Sequence, residues 1–229
     1  GDSWIALGQE FFAVLILIAL AMAAYQRAVL KPARFEGSNS RDAWTIYVLV
    51  ACVVVTMLLE SAFHLAANGQ PSAWRPIGSG IAALFGKLDL SQSAAAQGNE
   101  LFYWAHIAAV LGFLIYIPGS KHRHMFLAPF NIYFRNLQPK GMLSPAGDAE
   151  TGPGVSDIDQ FNWKYKLDLV SCTECGRCQE ACPAHAASLP LSPKKVIMNL
   201  RDHMFEREQG KCAEVSLIGG VIKEETLWA

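Results

Sequence analysis

The sequence predicts an all-α protein in which a three-helix transmembrane bundle is followed by a small, mostly helical domain. Three observations support this fold class. Apolar residues concentrate in the first 120 positions, three apolar stretches there are long enough for membrane-spanning helices, and the polar second half contains a dense group of cysteines. Hydrophobic residues make up 52% of the chain and charged residues only 17%, which is apolar for a soluble protein. The net charge of −1 gives no indication of nucleic-acid binding.

The transmembrane domain is predicted at residues 1–120. A helix that crosses a bilayer needs about 20 apolar residues, and the spans are expected at about 5–25, 44–67 and 101–120. Glu10 interrupts the beginning of the first stretch and is predicted to lie at the outer interface. A signal peptide is the alternative for this stretch, but no basic segment precedes it and no small-residue cleavage site follows it.

Basic residues indicate the orientation of the bundle, because loops rich in lysine and arginine stay on the cytoplasmic side. The connection 69–100 contains only Arg75 and Lys87, whereas the first link and the segment after the third span are richer in basic residues. These are Arg27, Lys31, Arg34 and Arg41 in the link, and Lys121, Arg123, Arg135 and Lys140 after the third span. The first link and the C-terminal half are therefore predicted to be cytoplasmic.

The other segments are a connection, a linker and a second domain. Residues 81–90 are predicted to form a short interfacial helix, and residues 121–156 a membrane-surface segment followed by a linker. The second domain is predicted at 157–229. Within it, Ser192 and Pro193 are typical of a helix start. The apolar residues that follow on one helical face are Val196, Ile197, Leu200 and Met204.

The run CTECGRCQEACP is the most specific feature of the second domain. Cys172, Cys175, Cys178 and Cys182 follow the pattern C-x2-C-x2-C-x3-C-P, in which bacterial ferredoxins bind a [4Fe–4S] cluster. We therefore predict a ferredoxin-like iron–sulfur domain. In two-cluster proteins the fourth cysteine serves the other cluster, so Cys182 need not bind the same cluster as the first three. A zinc knuckle or a disulfide pair is the alternative, but zinc sites usually have two separated cysteine pairs.

Thiolates that bind iron need a reducing compartment, which independently favours a cytoplasmic second domain. Cys52 lies alone in an apolar run and is predicted to be a small buried hydrophobic residue.

Histidines in the apolar half are candidate ligands of a b-type haem. His64 and His106 both lie near the outer ends of their spans, so they form a candidate axial pair. The alternative is a histidine that hydrogen-bonds a neighbouring helix. His124 follows His106 by 18 residues. If the helix continues past Pro118, both imidazoles point the same way about 27 Å apart, as two stacked haems require. For an inner haem, the alternative is that His122 and His124 are interfacial cations.

Glu60 lies one turn before His64 on the same face of the helix. A carboxylate there could exchange protons with a quinone or anchor the haem environment. The alternative is a carboxyl group that reaches the outer interface or stays protonated.

The segment YIPGSKHRHMFLAPFNIYFRNLQPKG, together with the cysteine run, resembles a known family. Its members fuse a nitrate-reductase gamma-subunit-like cytochrome b domain to a heterodisulfide-reductase-like iron–sulfur domain. The resemblance covers roughly residues 101–229, and the first 100 residues by topology only. It implies a bacterial inner-membrane oxidoreductase that accepts electrons from electron-transfer flavoprotein and reduces menaquinone. It also implies haem ligation by His106 and His124, although Val54 stands where the family has a further histidine ten positions before His64.

The resemblance further implies a second cysteine motif directly after a Leu-Trp-Ala-like segment, and this chain ends at Leu227, Trp228 and Ala229. We expect either that the chain is cut before that motif or that a further subunit supplies the rest. Cys212 could be a local substitute ligand but is expected to be an ordinary cysteine.

The predicted function is electron transfer between a cytoplasmic iron–sulfur cluster and a membrane quinone through haem b, within a larger respiratory oxidoreductase. The alternative is a haem-free membrane anchor that tethers an iron–sulfur domain to a larger complex, and it predicts no effect from the loss of His64 and His106. A cluster-based redox sensor would require an output domain, and the sequence shows none.

Overall fold

The computed structural model describes residues 3–69, 71–139, 155–211 and 215–229, and these form helices, turns and irregular segments. They divide into two compact units. The first contains the described parts of Gly1–Lys31 and Ser40–Pro118, and the second contains Pro32–Asn39 with the described parts of Gly119–Ala229. The predicted all-helical class is confirmed.

The first unit contains four α-helices: α1 (Ser3–Tyr25), α2 (Ser40–Asn68), α3 (Pro76–Lys87) and α4 (Gln92–Tyr116). Three of them, α1 with its π-helical extension Gln26–Leu30, α2, and α4 with the following turn, are long and apolar enough to span a membrane, as predicted. Helix α4 begins before residue 101 because Ser91 caps it, its Oγ accepting a hydrogen bond from the Ala94 N–H at 3.2 Å. Helix α3 begins earlier than the predicted residue 81, with Pro76 in its first turn.

Helix α2 packs against each of the other helices in this unit. Ala13, Val54 and Leu58 form a small buried cluster between α1 and α2. Most large apolar side chains point outward instead, as expected for helices that face lipid. Cys52 is one of the exposed residues, so the prediction that it is buried was wrong. In a membrane-spanning helix, both the packed face and the lipid face are apolar, so an apolar run does not show on which face Cys52 lies.

Glu10 lies inside the first unit rather than at its surface. Its side chain is 3% exposed, and its carboxylate accepts hydrogen bonds from the Ile77 N–H at 2.7 Å and the Gly78 N–H at 3.0 Å. These amides belong to the first turn of α3, where backbone N–H groups lack partners within the helix. Glu10 therefore attaches the N-terminus of α3 to α1, a role that the sequence did not indicate.

The described residues of the second unit form six α-helices: α5 (His124–Tyr133), α6 (Trp163–Val170), α7 (Arg177–Glu180), α8 (Pro183–Ala186), α9 (Pro193–Glu208) and α10 (Glu224–Leu227). Its core is a cluster of buried residues, Ile158, Leu169, Leu200, Met204, Leu217 and Ile222. The predicted start of α9 is confirmed, because the Ser192 Oγ accepts a hydrogen bond from the Lys195 N–H at 3.3 Å. Most of the predicted linker, residues 140–154, and Cys212 lie outside the described residues.

The helix that contains His106 ends at Tyr116. Two 3-10 turns, Ile117–Gly119 and Lys121–Arg123, separate it from α5, which begins at His124. Pro118 lies in the first of these turns and has no N–H to continue the helical hydrogen bonds. A single helix from His106 to His124, the condition for aligned imidazoles, is therefore not formed.

Candidate iron–sulfur centre

The four predicted cluster ligands lie on a short stretch of the second unit between α6 and α8. Cys172 follows α6, Cys178 lies in α7, and Cys182 directly precedes α8. All four are free thiols, with Cys175 and Cys178 exposed and the other two half-buried. These four cysteines therefore form no disulfide bond with one another.

The cysteine loop folds back on itself through two residues with left-handed backbone conformation, Glu174 (φ 57°) and Gly176 (φ 77°). A Cβ atom at Gly176 would lie 2.3 Å from the carbonyl oxygen of Arg34, so only glycine permits this approach. The same turn directs the Glu174 N–H to the Cys172 Sγ at 3.5 Å. Peptide hydrogen bonds to sulfur are one of the ways in which proteins tune iron–sulfur clusters.

Within the described ranges, no group of three or more His, Cys, Asp or Glu side chains converges closely enough to hold a single metal ion. The donor set does fit a [4Fe–4S] cluster, since four free thiols share one loop and a peptide N–H points at one sulfur atom. Burial raises the pKa of the Cys172 thiol, while the Glu174 N–H and the charge of Arg201 act in the opposite direction. Both groups favour the thiolate that binds iron.

Glu174 anchors the cysteine loop to the rest of the unit and is only 4% exposed. Its Oε2 accepts hydrogen bonds from the Asn39 N–H and the Lys121 Nζ, both at 2.8 Å, and its Oε1 accepts one from the Arg201 Nη2 at 2.9 Å. Burial alone would raise the pKa of Glu174, but these donors outweigh it and lower the pKa to about 2. Glu174 is thus a buried, ionised carboxylate.

The segment Pro32–Asn39 forms one wall of the cysteine loop. Besides the Asn39 contact, the Ser38 Oγ donates a hydrogen bond to the Glu174 carbonyl oxygen at 3.0 Å. Lys194, 1% exposed, donates through Nζ to the Arg34 carbonyl at 2.8 Å and the Glu36 carbonyl at 2.6 Å. Sequence reasoning missed these contacts because a glutamate in a loop and a lysine at a helix start are usually solvated, and the partners lie far apart in the chain.

In the first unit, His106 is arranged as a metal ligand often is. Its Nδ1 lies 3.1 Å from the Val53 carbonyl oxygen and 3.1 Å from the Thr56 Oγ1. Because a carbonyl only accepts, Nδ1 bears the proton, and the lone pair of Nε2 remains available. Ligating histidines usually donate their other N–H to a backbone carbonyl or carboxylate in this way.

The structure does not bring His64 to His106. Thr56, which contacts His106, precedes His64 by eight residues, a rise of about 12 Å along α2. The Nε2 of His64 instead lies 3.2 Å from the Asn68 side-chain nitrogen. His124 belongs to the second unit, where its Nδ1 lies 2.6 Å from the Lys121 carbonyl oxygen. Haem ligation by these histidines therefore stays a prediction.

Glu60 and His106 do share a cavity of about 290 Å³ in the first unit. Its other lining residues include Glu10, Arg75 and Tyr103. The cavity therefore gathers several ionisable or hydrogen-bonding groups inside an otherwise apolar bundle.

Comparison with known proteins shows a match for the part of the second unit that contains the cysteines. Residues 165–188 match the family model described as a 4Fe-4S binding domain. The chain is 32% identical over 203 residues to the probable iron-sulfur-binding oxidoreductase FadF of Bacillus subtilis, a match that covers 87% of this chain and 28% of that protein. It is also 32% identical over 216 residues to the EtfAB:quinone oxidoreductase of Syntrophomonas wolfei, covering 89% of this chain and 29% of that protein.

A probable membrane-anchored ferredoxin of Chromohalobacter salexigens is 42% identical over 53 residues, which are 23% of this chain and 8% of that protein. The chain spans less than a third of the length of FadF and of the EtfAB:quinone oxidoreductase. No solved structure matches it significantly. The homologues of this chain are iron–sulfur-binding oxidoreductases, and the chain itself combines a 4Fe-4S binding domain with three helices of membrane-spanning length.

Proposed function

We propose that this chain transfers electrons between a cytoplasmic [4Fe–4S] cluster and a quinone in the bacterial inner membrane, as part of a larger respiratory oxidoreductase. One observation supports this most strongly. The 4Fe-4S domain and the apolar helices lie on one chain that matches a protein named EtfAB:quinone oxidoreductase over 89% of the chain's length. That name favours electron-transfer flavoprotein as the electron donor and a quinone, such as menaquinone, as the acceptor. A further subunit or a C-terminal region with a second cluster motif would complete the assembly.

The cysteine loop would hold the cluster, which supplies one-electron transfer when bound. Cys172, Cys175 and Cys178 are the proposed ligands of one cluster, and Cys182 either completes that set or serves a second cluster. Glu174 holds the loop in place through its buried ion pairs, and its N–H is directed at the Cys172 sulfur. The exposed Cys175 and Cys178 leave one edge of the loop accessible to a redox partner.

The cavity in the first unit supports the quinone part of the proposal. Reduction of a quinone to a quinol takes two electrons and two protons, so its site needs hydrogen-bond donors and a group that exchanges protons. Tyr103 and Arg75 can donate hydrogen bonds, and Glu60 can exchange protons in the same cavity. Ionisable side chains in membrane spans are functional candidates by default.

Haem b is the predicted carrier between cluster and quinone, and the residues fit it only in part. His106 presents the lone pair of its Nε2, but His64, its predicted partner, contacts Asn68 instead. The alternative function is a haem-free anchor that tethers the iron–sulfur domain to a larger complex.

The contacts of Pro32–Asn39 support the proposed orientation. This segment links α1 to α2 in the chain, and its residue Asn39 is bound to Glu174 of the C-terminal unit. These contacts support the proposal that the link and the C-terminal unit are on the same side of the membrane. The positive-inside rule indicates that this side is the cytoplasm.

The test is anaerobic reoxidation of the dithionite-reduced, detergent-purified chain by a soluble menaquinone analogue, followed by the EPR signal of the reduced cluster. Rapid loss of the signal is expected. A slower loss in Glu60→Gln would assign the quinone site to the cavity that Glu60 lines. A signal that persists in the presence of the analogue contradicts quinone reduction by this chain. A pyridine haemochrome assay on the same sample separates the two functions, since the anchor predicts no haem b.

A further inference from the structure

Lys194 is the most deeply buried ionisable side chain among the described residues, at 1% exposed. It lies in the first turn of α9, where the helix dipole disfavours a positive charge. Its ammonium donates to the Arg34 and Glu36 carbonyl groups, at 2.8 and 2.6 Å, and no carboxylate of the described chain is in ion-pair contact with it. Burying a charge without a counter-charge costs free energy, and a nearby anion would reduce that cost for Lys194.

The charges around Lys194 leave it without an anion of its own. Lys121 and Arg201 share the carboxylate of Glu174, and Arg201 also contacts the half-exposed Asp202 at 2.8 Å. These two carboxylates offset Lys121 and Arg201. Lys194 differs from Lys121 and Arg201 in that no ion pair of the described residues joins it to a carboxylate.

The available negative charge is on the cysteine loop. Lys194 donates a hydrogen bond to the Arg34 carbonyl oxygen, and that oxygen packs directly against Gly176, which lies between Cys175 and Cys178. The ammonium therefore lies beside the loop that would hold the cluster. Burial and the charges of Lys121 and Lys195 lower the pKa of Lys194, and the charges of Glu174 and Cys178 act in the opposite direction. A [4Fe–4S] cluster with four thiolate ligands is anionic, and reduction adds one further negative charge.

We propose that Lys194 is a positioning residue whose buried charge raises the reduction potential of the cluster held by the Cys172–Cys182 loop. The cluster accepts one electron, which an external low-potential reductant supplies in the test, and Lys194 keeps its proton throughout. The ammonium favours the reduced form because that form has the larger negative charge. This inference depends on the cluster and not on haem or quinone.

The segment Pro32–Asn39 holds the Lys194 ammonium in a fixed position near the cluster site. The Arg34 and Glu36 carbonyls fix the position of the ammonium, and the close approach of Arg34 to Gly176 holds this segment against the cysteine loop. Exclusion of water lowers the local dielectric constant, which strengthens the interaction between the ammonium and the cluster.

The test is an EPR-monitored potentiometric titration of the full chain in detergent. Lys194→Met removes the charge and the donors, and Lys194→Gln removes the charge but keeps a donor. In both variants we expect the ratio of reduced to oxidised cluster at a fixed ambient potential to fall by about tenfold, which is about 59 mV for a one-electron couple. The matched control is Lys195→Met, because Lys195 is the exposed neighbour and its change should leave the potential unaltered.

Wild-type potential in a Lys194 variant with full iron and sulfide content would overturn the proposal and make Lys194 purely structural. If neither variant assembles a cluster, Lys194→Arg decides, because this change keeps the positive charge in a differently shaped side chain. The potential should then stay close to that of the wild type. A fall of about tenfold in the ratio of reduced to oxidised cluster in Lys194→Arg would likewise overturn the proposal.

Discussion

Replacing Glu174 by glutamine tests whether the buried ion pairs hold the cysteine loop in place. The change keeps the size of the side chain but removes its charge, and one of the two oxygens that accept from Lys121 and Arg201 becomes an amide nitrogen that cannot accept. Two buried cations, with side chains 8% and 10% exposed, then lose their common counter-charge. Breaking a buried pair by removing one partner is strongly destabilising.

The magnitude follows from the pKa of Glu174, which is about 2 in the folded chain against a usual value of 4.5. At 1.36 kcal/mol for each pKa unit, the ionised side chain contributes about 3 kcal/mol relative to its neutral form. If this loss is expressed fully in the unfolding rate, the loop opens about 100-fold faster.

The assay is the rate at which the visible absorbance of the cluster bleaches in a fixed concentration of guanidinium chloride, using the full chain in detergent. Glu180→Gln is the matched control, because Glu180 is 55% exposed and pairs with Arg34 only at 3.4 Å. An exposed pair of this kind is worth at most about 1 kcal/mol, so the control should bleach within about fivefold of the wild type. Bleaching of Glu174→Gln that also stays within this range would refute the anchoring role.

Three further changes test other parts of the structure. Glu10→Ala should cost about 2 kcal/mol and lower the melting temperature in detergent, since two amides of α3 lose a carboxylate acceptor, whereas Glu100→Ala at an exposed position should not. Gly176→Ala should lower the cluster content, because the new Cβ would lie 2.3 Å from a backbone carbonyl oxygen. Gly219 also has a left-handed backbone conformation but lies in open space, so Gly219→Ala should cost only about 1 kcal/mol of stability and retain the cluster. The Asp159 N–H and an arginine partner lower the pKa of Asp157 below 3.8. In denaturant titrations, the wild type should therefore have a higher free energy of unfolding than Asp157→Asn at pH 7, and this difference should vanish as the pH falls below 3.8. A difference that stays constant with pH would contradict a stabilising role of the ionised Asp157 carboxylate.

Local patterns predicted much of this fold. Hydrophobic stretches located the three long helices, and the sequence Ser192-Pro193 located the start of α9. The spacing of the cysteines predicted the 4Fe-4S domain, which the family match to residues 165–188 supports. These features could be predicted because each depends on residues that are close together in the chain.

The contacts that position the cysteine loop were not predictable in this way. Glu174 binds Asn39, which is 135 positions away, and Lys194 binds Arg34, which is 160 positions away. Nothing in the local sequence distinguishes these charged residues from solvated ones. The pairing of His64 with His106 depended on an assumed depth in the membrane, and the structure places their contacts about two helical turns apart along α2.

The iron–sulfur assignment is tested most directly by the iron, acid-labile sulfide and zinc content of the anaerobically purified chain, with EPR spectroscopy after reduction by dithionite. We expect about four iron and four sulfide per chain and the EPR signal of a reduced [4Fe–4S] cluster, all lost in Cys175→Ser. One zinc per chain, without sulfide or a signal, would contradict the cluster assignment and support the zinc alternative.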